Sequence, residues 1–123
     1  MDLTFSHYRV LFQADSSNLP ELLMGMESMG FPEGDLKWPP LPLRDARRAL
    51  RDLVEAGYVD VLGDEGRTLS KAAAREAINN EAAWQNKMPD TPDYFEIGIT
   101  DEGAKAFREM QPQYRTVGRV AKR

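Results

Sequence analysis

Residues 43–59 read Leu43-Arg44-Asp45-Ala46-Arg47-Arg48-Ala49-Leu50-Arg51-Asp52-Leu53-Val54-Glu55-Ala56-Gly57-Tyr58-Val59. Counted from Leu43 at helical spacing, Ala46, Leu50, Leu53 and Val54 form one apolar stripe, which predicts an amphipathic helix. Gly57 is the residue type that ends such a helix. Arg44, Arg48 and Arg51 fall together on a flank with Glu55, while Arg47 sits nearer the apolar edge. Tyr58-Val59-Asp60-Val61-Leu62 follows, with the alternation of a strand if Tyr58 is a boundary residue.

Reading forward, Gly63-Asp64-Glu65-Gly66 is a turn, and Leu69 to about Asn86 is Ala-rich with few breakers, which favours helix. Its apolar face is uneven, so it reads as a helical insertion over residues 67–88. Pro89-Asp90-Thr91-Pro92-Asp93 closes it, and Tyr94-Phe95-Glu96-Ile97-Gly98-Ile99 predicts a second strand. Thr100 is placed to cap a last helix, with Asp101 and Glu102 in its electropositive first turn and Gly103 at the third position. Pro112 is expected to limit that helix, leaving residues 113–123 as a basic tail.

Reading backward, residues 30–42 contain Gly30, Gly34, Pro32, Pro39, Pro40 and Pro42 and predict an irregular loop. Before it, Asn18, Pro20 and Glu21 have the spacing of a helix start, with the helix expected to reach about Met29. Asp15-Ser16-Ser17-Asn18 reads as a turn, and Leu3 to Ala14 as a first helix. The expected fold class is therefore α+β and mostly helical, with a two- or three-stranded antiparallel sheet. The expected domain covers residues 1–112.

The 123 residues fit one domain, and 41% hydrophobic content supports one modest core. No apolar run is long enough to cross a membrane. Cysteine is absent, which excludes disulfides and thiolate metal sites and fits a reducing, cytoplasmic setting. The first residues lack the basic start and apolar stretch of a secretory signal. Net charge is −4, which weighs against general affinity for nucleic acid. The charge is uneven: −4 over residues 1–40, +1 over 41–75, −5 over 76–110 and +4 thereafter.

Two blocks carry a resemblance. The Leu43–Val59 block resembles the recognition helix and first wing strand of bacterial winged helix-turn-helix regulators. Residues 94–107, with Ile99-Thr100-Asp101-Glu102-Gly103 at their centre, resemble the returning wing strand and following helix of MarR-like and PadR-like members. The resemblance implies a DNA-binding regulator that dimerises and acts by occupying a duplex. There are two departures. About thirty residues separate Val61 from Phe95, where the family has a short hairpin, and the loop 30–42 replaces a compact turn.

On the DNA reading, Arg44, Arg47 and Arg48 reach base edges or flanking phosphates, and Arg51 reaches the backbone. Arg67 and Lys71 add phosphate contacts, and Arg115, Arg119, Lys122 and Arg123 extend them. The competing account of the same residues is a solvated flank, with Arg48–Asp52 and Arg51–Glu55 as ion pairs four residues apart. The alternative function is a non-catalytic protein-interaction domain, such as an immunity protein, inhibitor or adaptor, with an acidic face for a basic protein partner. Phe31, Trp38, Met24 and Met26 are its candidate interface residues; the competing account has Phe31 and Trp38 docked on the domain's own core and the methionines packing the second helix against its neighbours. No cofactor, metal or catalytic residue is expected. His7 is the only histidine, and no serine has a nucleophile's companions.

Overall fold

The computed structural model describes residues 2–30, 32, 34–89 and 91–120. In chain order the elements are α1 (Phe5–Gln13), β1 (Asp15–Asn18), α2 (Leu19–Leu23), β2 (Met26–Ser28), β3 (Asp35–Trp38), α3 (Leu43–Glu55), β4 (Val59–Leu62), α4 (Lys71–Asn79), β5 (Glu96–Ile99), α5 (Asp101–Tyr114) and β6 (Arg119–Val120). Short 3-10 turns at Asp64–Gly66 and Glu81–Trp84 flank α4. The fold is α+β, close to half helical, with two small antiparallel sheets.

The core is organised around α3, whose Ala46, Ala49, Leu50, Leu53 and Val54 are buried as the sequence stripe requires. α1 and α4 both pack against α3, and α5 packs on α1. The first sheet has the order β1-β5-β4. Val59 faces Ile99 and Val61 faces Ile97 across it, which places alternate residues of β4 in the core.

The junction between α3 and α5 explains the Thr-x-x-Gly spacing. Thr100 Oγ1 accepts the Gly103 amide at 3.0 Å and donates to the Gly57 carbonyl at 2.7 Å. The Thr100 amide donates to the Tyr58 carbonyl at 3.1 Å. A Cβ on Gly103 would lie 1.9 Å from that same Tyr58 oxygen. Glycine is therefore required by close approach of two backbones at this point.

The region before α3 departs from expectation. α2 stops at Leu23, because Met24 turns extended and the chain enters a hairpin. The absent Gly25 side chain allows this: a Cβ there would stand 2.8 Å from the Trp38 carbonyl. The expected irregular loop 30–42 contains β3, which pairs with β2 in the register Met26–Trp38 and Ser28–Leu36. Residues 15–18 are likewise a strand rather than a turn, paired with β5 around a register shift.

Trp38 carries the second sheet into the core. It is 3% exposed and makes edge contacts with Phe5, Tyr8 and Phe12 at centroid distances of 5.4, 6.1 and 5.0 Å. Arg9 lies over its ring at 5.5 Å. Burial lowers the pKa of Arg9, and the guanidinium donates to the Met24 carbonyl at 3.5 Å.

The C-terminal segment is also more ordered than a free basic tail. α5 continues through Pro112 to Tyr114, whose ring packs on Phe5 and Tyr8 and offsets the missing proline amide. The Val117 carbonyl accepts Trp38 Nε1 at 2.9 Å, and β6 then pairs with β3. The Ala-rich helix is shorter than residues 69–86. It ends at Asn79, because the Asn80 side chain caps the next turn by accepting the Ala82 amide. Trp84 then fills the core, with its ring nitrogen donating to the Ile78 carbonyl at 2.8 Å.

Candidate nucleic-acid interface

The buried stripe of α3 leaves the opposite side of the helix to Arg44, Arg48 and Arg51, and all three are exposed. They sit at positions i, i+4 and i+7 and form one row. With Leu43 and Arg47 they line an open groove of about 450 Å³. Arg47 is half-buried, and its Nε is enclosed without a hydrogen-bond partner. Its placement at the apolar edge matches the sequence, and it is the least free of the four.

The expected helix-surface ion pairs do not form. Asp52 is engaged by His7 on α1, with Nε2 to Oδ2 at 3.0 Å. Glu55 is engaged by Arg75 on α4, which donates from both Nε and Nη2, the latter to Oε2 at 3.2 Å. Among the described residues, Arg44, Arg48 and Arg51 therefore have no carboxylate within ion-pair distance. The two acids that sequence spacing assigns to Arg48 and Arg51 are held by neighbouring helices.

Lys71 lies at the end of this row. Its Nζ donates to the Glu55 main-chain carbonyl at 3.2 Å, satisfying a terminal acceptor of α3. Arg75 was not singled out from sequence and belongs to the same cluster. The Arg75 guanidinium, by its hydrogen bond, holds the Glu55 carboxyl below its ordinary range, and Lys71 and Arg51 act in the same direction. Its distance along the chain from Glu55 left no periodic signal, so only the folding of the insertion reveals it. Arg67 is exposed but follows the acidic Asp64–Gly66 turn, at the end of β4 away from α3. It is not among the residues lining the α3 groove.

The proposed protein-interface residues separate. Trp38 is a core residue, because its ring completes the aromatic cluster on α1. Met26 is half-buried and Met24 is exposed, on either side of Gly25. Phe31, like Lys122 and Arg123 of the tail, lies outside the described residues. Of the other tail bases, Arg115 is exposed, and Arg119 donates to the Arg115 and Gly34 carbonyls at 3.0 and 3.3 Å.

Thr4, His7 and Asp52 form a hydroxyl–imidazole–carboxylate row, with Thr4 Oγ1 2.9 Å from Nδ1. The arrangement belongs to a helix start. The Thr4 main-chain amide donates to Nδ1 at 2.8 Å and occupies the single lone pair that a general base would need. Nε2 consequently carries the proton and donates to Asp52. Among the described residues no group of three or more His, Cys, Asp or Glu side chains is placed to hold a metal ion. Nor is any helix long and apolar enough to cross a membrane.

Compared with models of known protein families, with curated proteins and with solved structures, the chain matches none.

Proposed function

We propose that this chain is a winged-helix derivative that binds duplex DNA through the outer face of α3. The observation that carries the reading is the row Arg44–Arg48–Arg51, turned away from the core and without an ion pair among the described residues, while Asp52 and Glu55 are bonded to His7 and Arg75. With the β2–β3 hairpin set aside between α2 and α3, and α4 between β4 and β5, the remaining order α1, β1, α2, α3, β4, β5 around a β1-β5-β4 sheet is that of a winged helix and also supports the reading. α3 is about 20 Å long, and a B-form major groove admits a helix of this width. Guanidinium forks suit both guanine edges and phosphates. The action is positional: occupying a duplex blocks or recruits other proteins, without chemistry.

Binding should be salt-sensitive in proportion to the row. If Arg44, Arg48, Arg51 and Lys71 each displace one counterion, log K falls with log salt at a slope of about −3.6. Titration of a fluorescein-labelled duplex by anisotropy measures this. The triple variant Arg44→Ala, Arg48→Ala, Arg51→Ala should retain the wild-type circular dichroism spectrum while its slope falls to about −0.9. Absence of wild-type binding at 50 mM salt, or equal binding by the triple variant, overturns the reading.

A further inference from the structure

Glu55 occupies an unusual place in the row. It continues the line of Arg44, Arg48 and Arg51 by one further helical position, at the end where the inserted helix delivers Lys71 and Arg75. Its carboxylate receives two parallel N–H donors from Arg75. A phosphate uses the same guanidinium edge in the same two-pronged way. One edge cannot serve both acceptors at once. The pair is also open to solvent, with the Arg75 side chain 50% and the Glu55 side chain 40% exposed. An approaching backbone therefore meets it directly.

We propose that Glu55 is an internal competitor for phosphate at Arg75, so that the inserted helix carries a contact which the protein itself holds in check. This rests on the duplex-binding reading above and adds to it a determinant of affinity on a different helix. Lys71 keeps two of its three donors free beside the pair, while Arg75 is tied to Glu55. The wild-type surface thus presents one cation of α4 to a duplex instead of two. Tethering gives the carboxylate a high effective concentration that a free phosphate has to overcome. The consequence is a binder set below its attainable affinity, as suits a protein that must release.

The test compares Glu55→Gln, Asp45→Asn and the double variant Glu55→Gln, Arg75→Gln in the anisotropy titration. Asp45 lies on the same helix, so its replacement removes one charge without freeing a guanidinium. Glu55→Gln should bind more tightly and show a slope steeper by about 0.9, so that its loss of affinity between 50 and 200 mM salt is about 3.5-fold larger. Asp45→Asn should leave the slope at the wild-type value, and the double variant should return to it. An unchanged slope for Glu55→Gln overturns the inference, as does an equal steepening for Asp45→Asn, which would make the effect one of overall field. Either result leaves the duplex reading standing if the triple arginine variant still loses binding. Absence of wild-type binding overturns both.

Discussion

Replacing Gly103 by alanine sets two magnitudes against each other. Alanine is the better helix former by about 1 kcal/mol, and position 103 lies inside α5, so propensity alone predicts stabilisation. The geometry predicts the reverse. The added Cβ would lie 1.9 Å from the Tyr58 oxygen, 2.8 Å from its carbonyl carbon and 3.0 Å from Ile99 Cγ1. Relief to even a tight 3.0 Å contact requires about 1.1 Å of movement between two backbones. That movement would pull on the 3.1 Å bond from the Thr100 amide to Tyr58 and the 2.7 Å bond from Thr100 Oγ1 to Gly57. Overpacking of a tight contact costs roughly 1–3 kcal/mol, and each hydrogen bond lost adds about 1 kcal/mol. Subtracting the propensity gain leaves a net loss of about 2–4 kcal/mol, a large share of a small domain's stability. Urea unfolding followed by circular dichroism measures it as a fall in midpoint at constant slope. A Gly103→Ala variant as stable as the wild type would refute the close approach and, with it, this explanation of the Thr-x-x-Gly spacing.

Three further outcomes are expected. Trp38→Phe keeps an aromatic ring among Phe5, Tyr8 and Phe12 but removes the donor to Val117, and should cost about 1–2 kcal/mol. Faster hydrogen exchange at the Lys37 amide, which donates to Gly118, would report release of the C-terminal strap, and unchanged exchange there would count against it. His7→Ala leaves both Asp52 and the Thr4 amide without their partner and should cost roughly 1–2 kcal/mol, since Asp52 is partly solvated; an unaltered urea midpoint would show the bridge between α1 and α3 to be idle. The Glu55–Arg75 pair should stabilise the fold above the ordinary glutamate value of 4.5 and stop doing so as pH falls through the lower folded value, because the Arg75 hydrogen bond favours the ionised carboxyl. Melting curves of wild type and Glu55→Gln should accordingly differ most above the ordinary glutamate value of 4.5 and draw together as the pH falls below it, and a gap that does not change between neutral and acid pH would contradict the assignment.

What could be read in advance followed from local physics. The α3 stripe, the Asn18 start of α2, the Thr100 cap and both strands of the β4–β5 pair rest on periodicity or on side chains that bond within a few residues. Misreadings arose where distant contacts override local preference. β3 forms among prolines and glycines because Leu36 and Trp38 are buried in the core, Trp38 against the aromatic rings of α1, and because β2 and β6 supply its hydrogen bonds. α2 is cut short by the approach of Trp38 to Gly25, a contact invisible in a Met-rich run. In the candidate site, the arginine row was legible from spacing, but its ion pairing was not. Spacing offers Asp52 and Glu55 as partners at i+4. Only the packing of α1 and α4 decides that they pair with His7 and Arg75 instead.

That diversion bears on how an acidic chain can present a usable basic face. Its net charge of −4 counts every carboxylate equally, yet a duplex responds to charge within about a Debye length. Along the outer side of α3, Asp52 is drawn toward His7 on α1 and Glu55 toward Arg75 on α4, so neither carboxylate pairs with the row. The two supporting helices thus set the electrostatics of α3 as well as its position. The segment between β4 and β5 is consequently part of this surface. It packs on α3, leaves Arg44, Arg48 and Arg51 exposed, and ends the row with Lys71 and the Arg75–Glu55 pair.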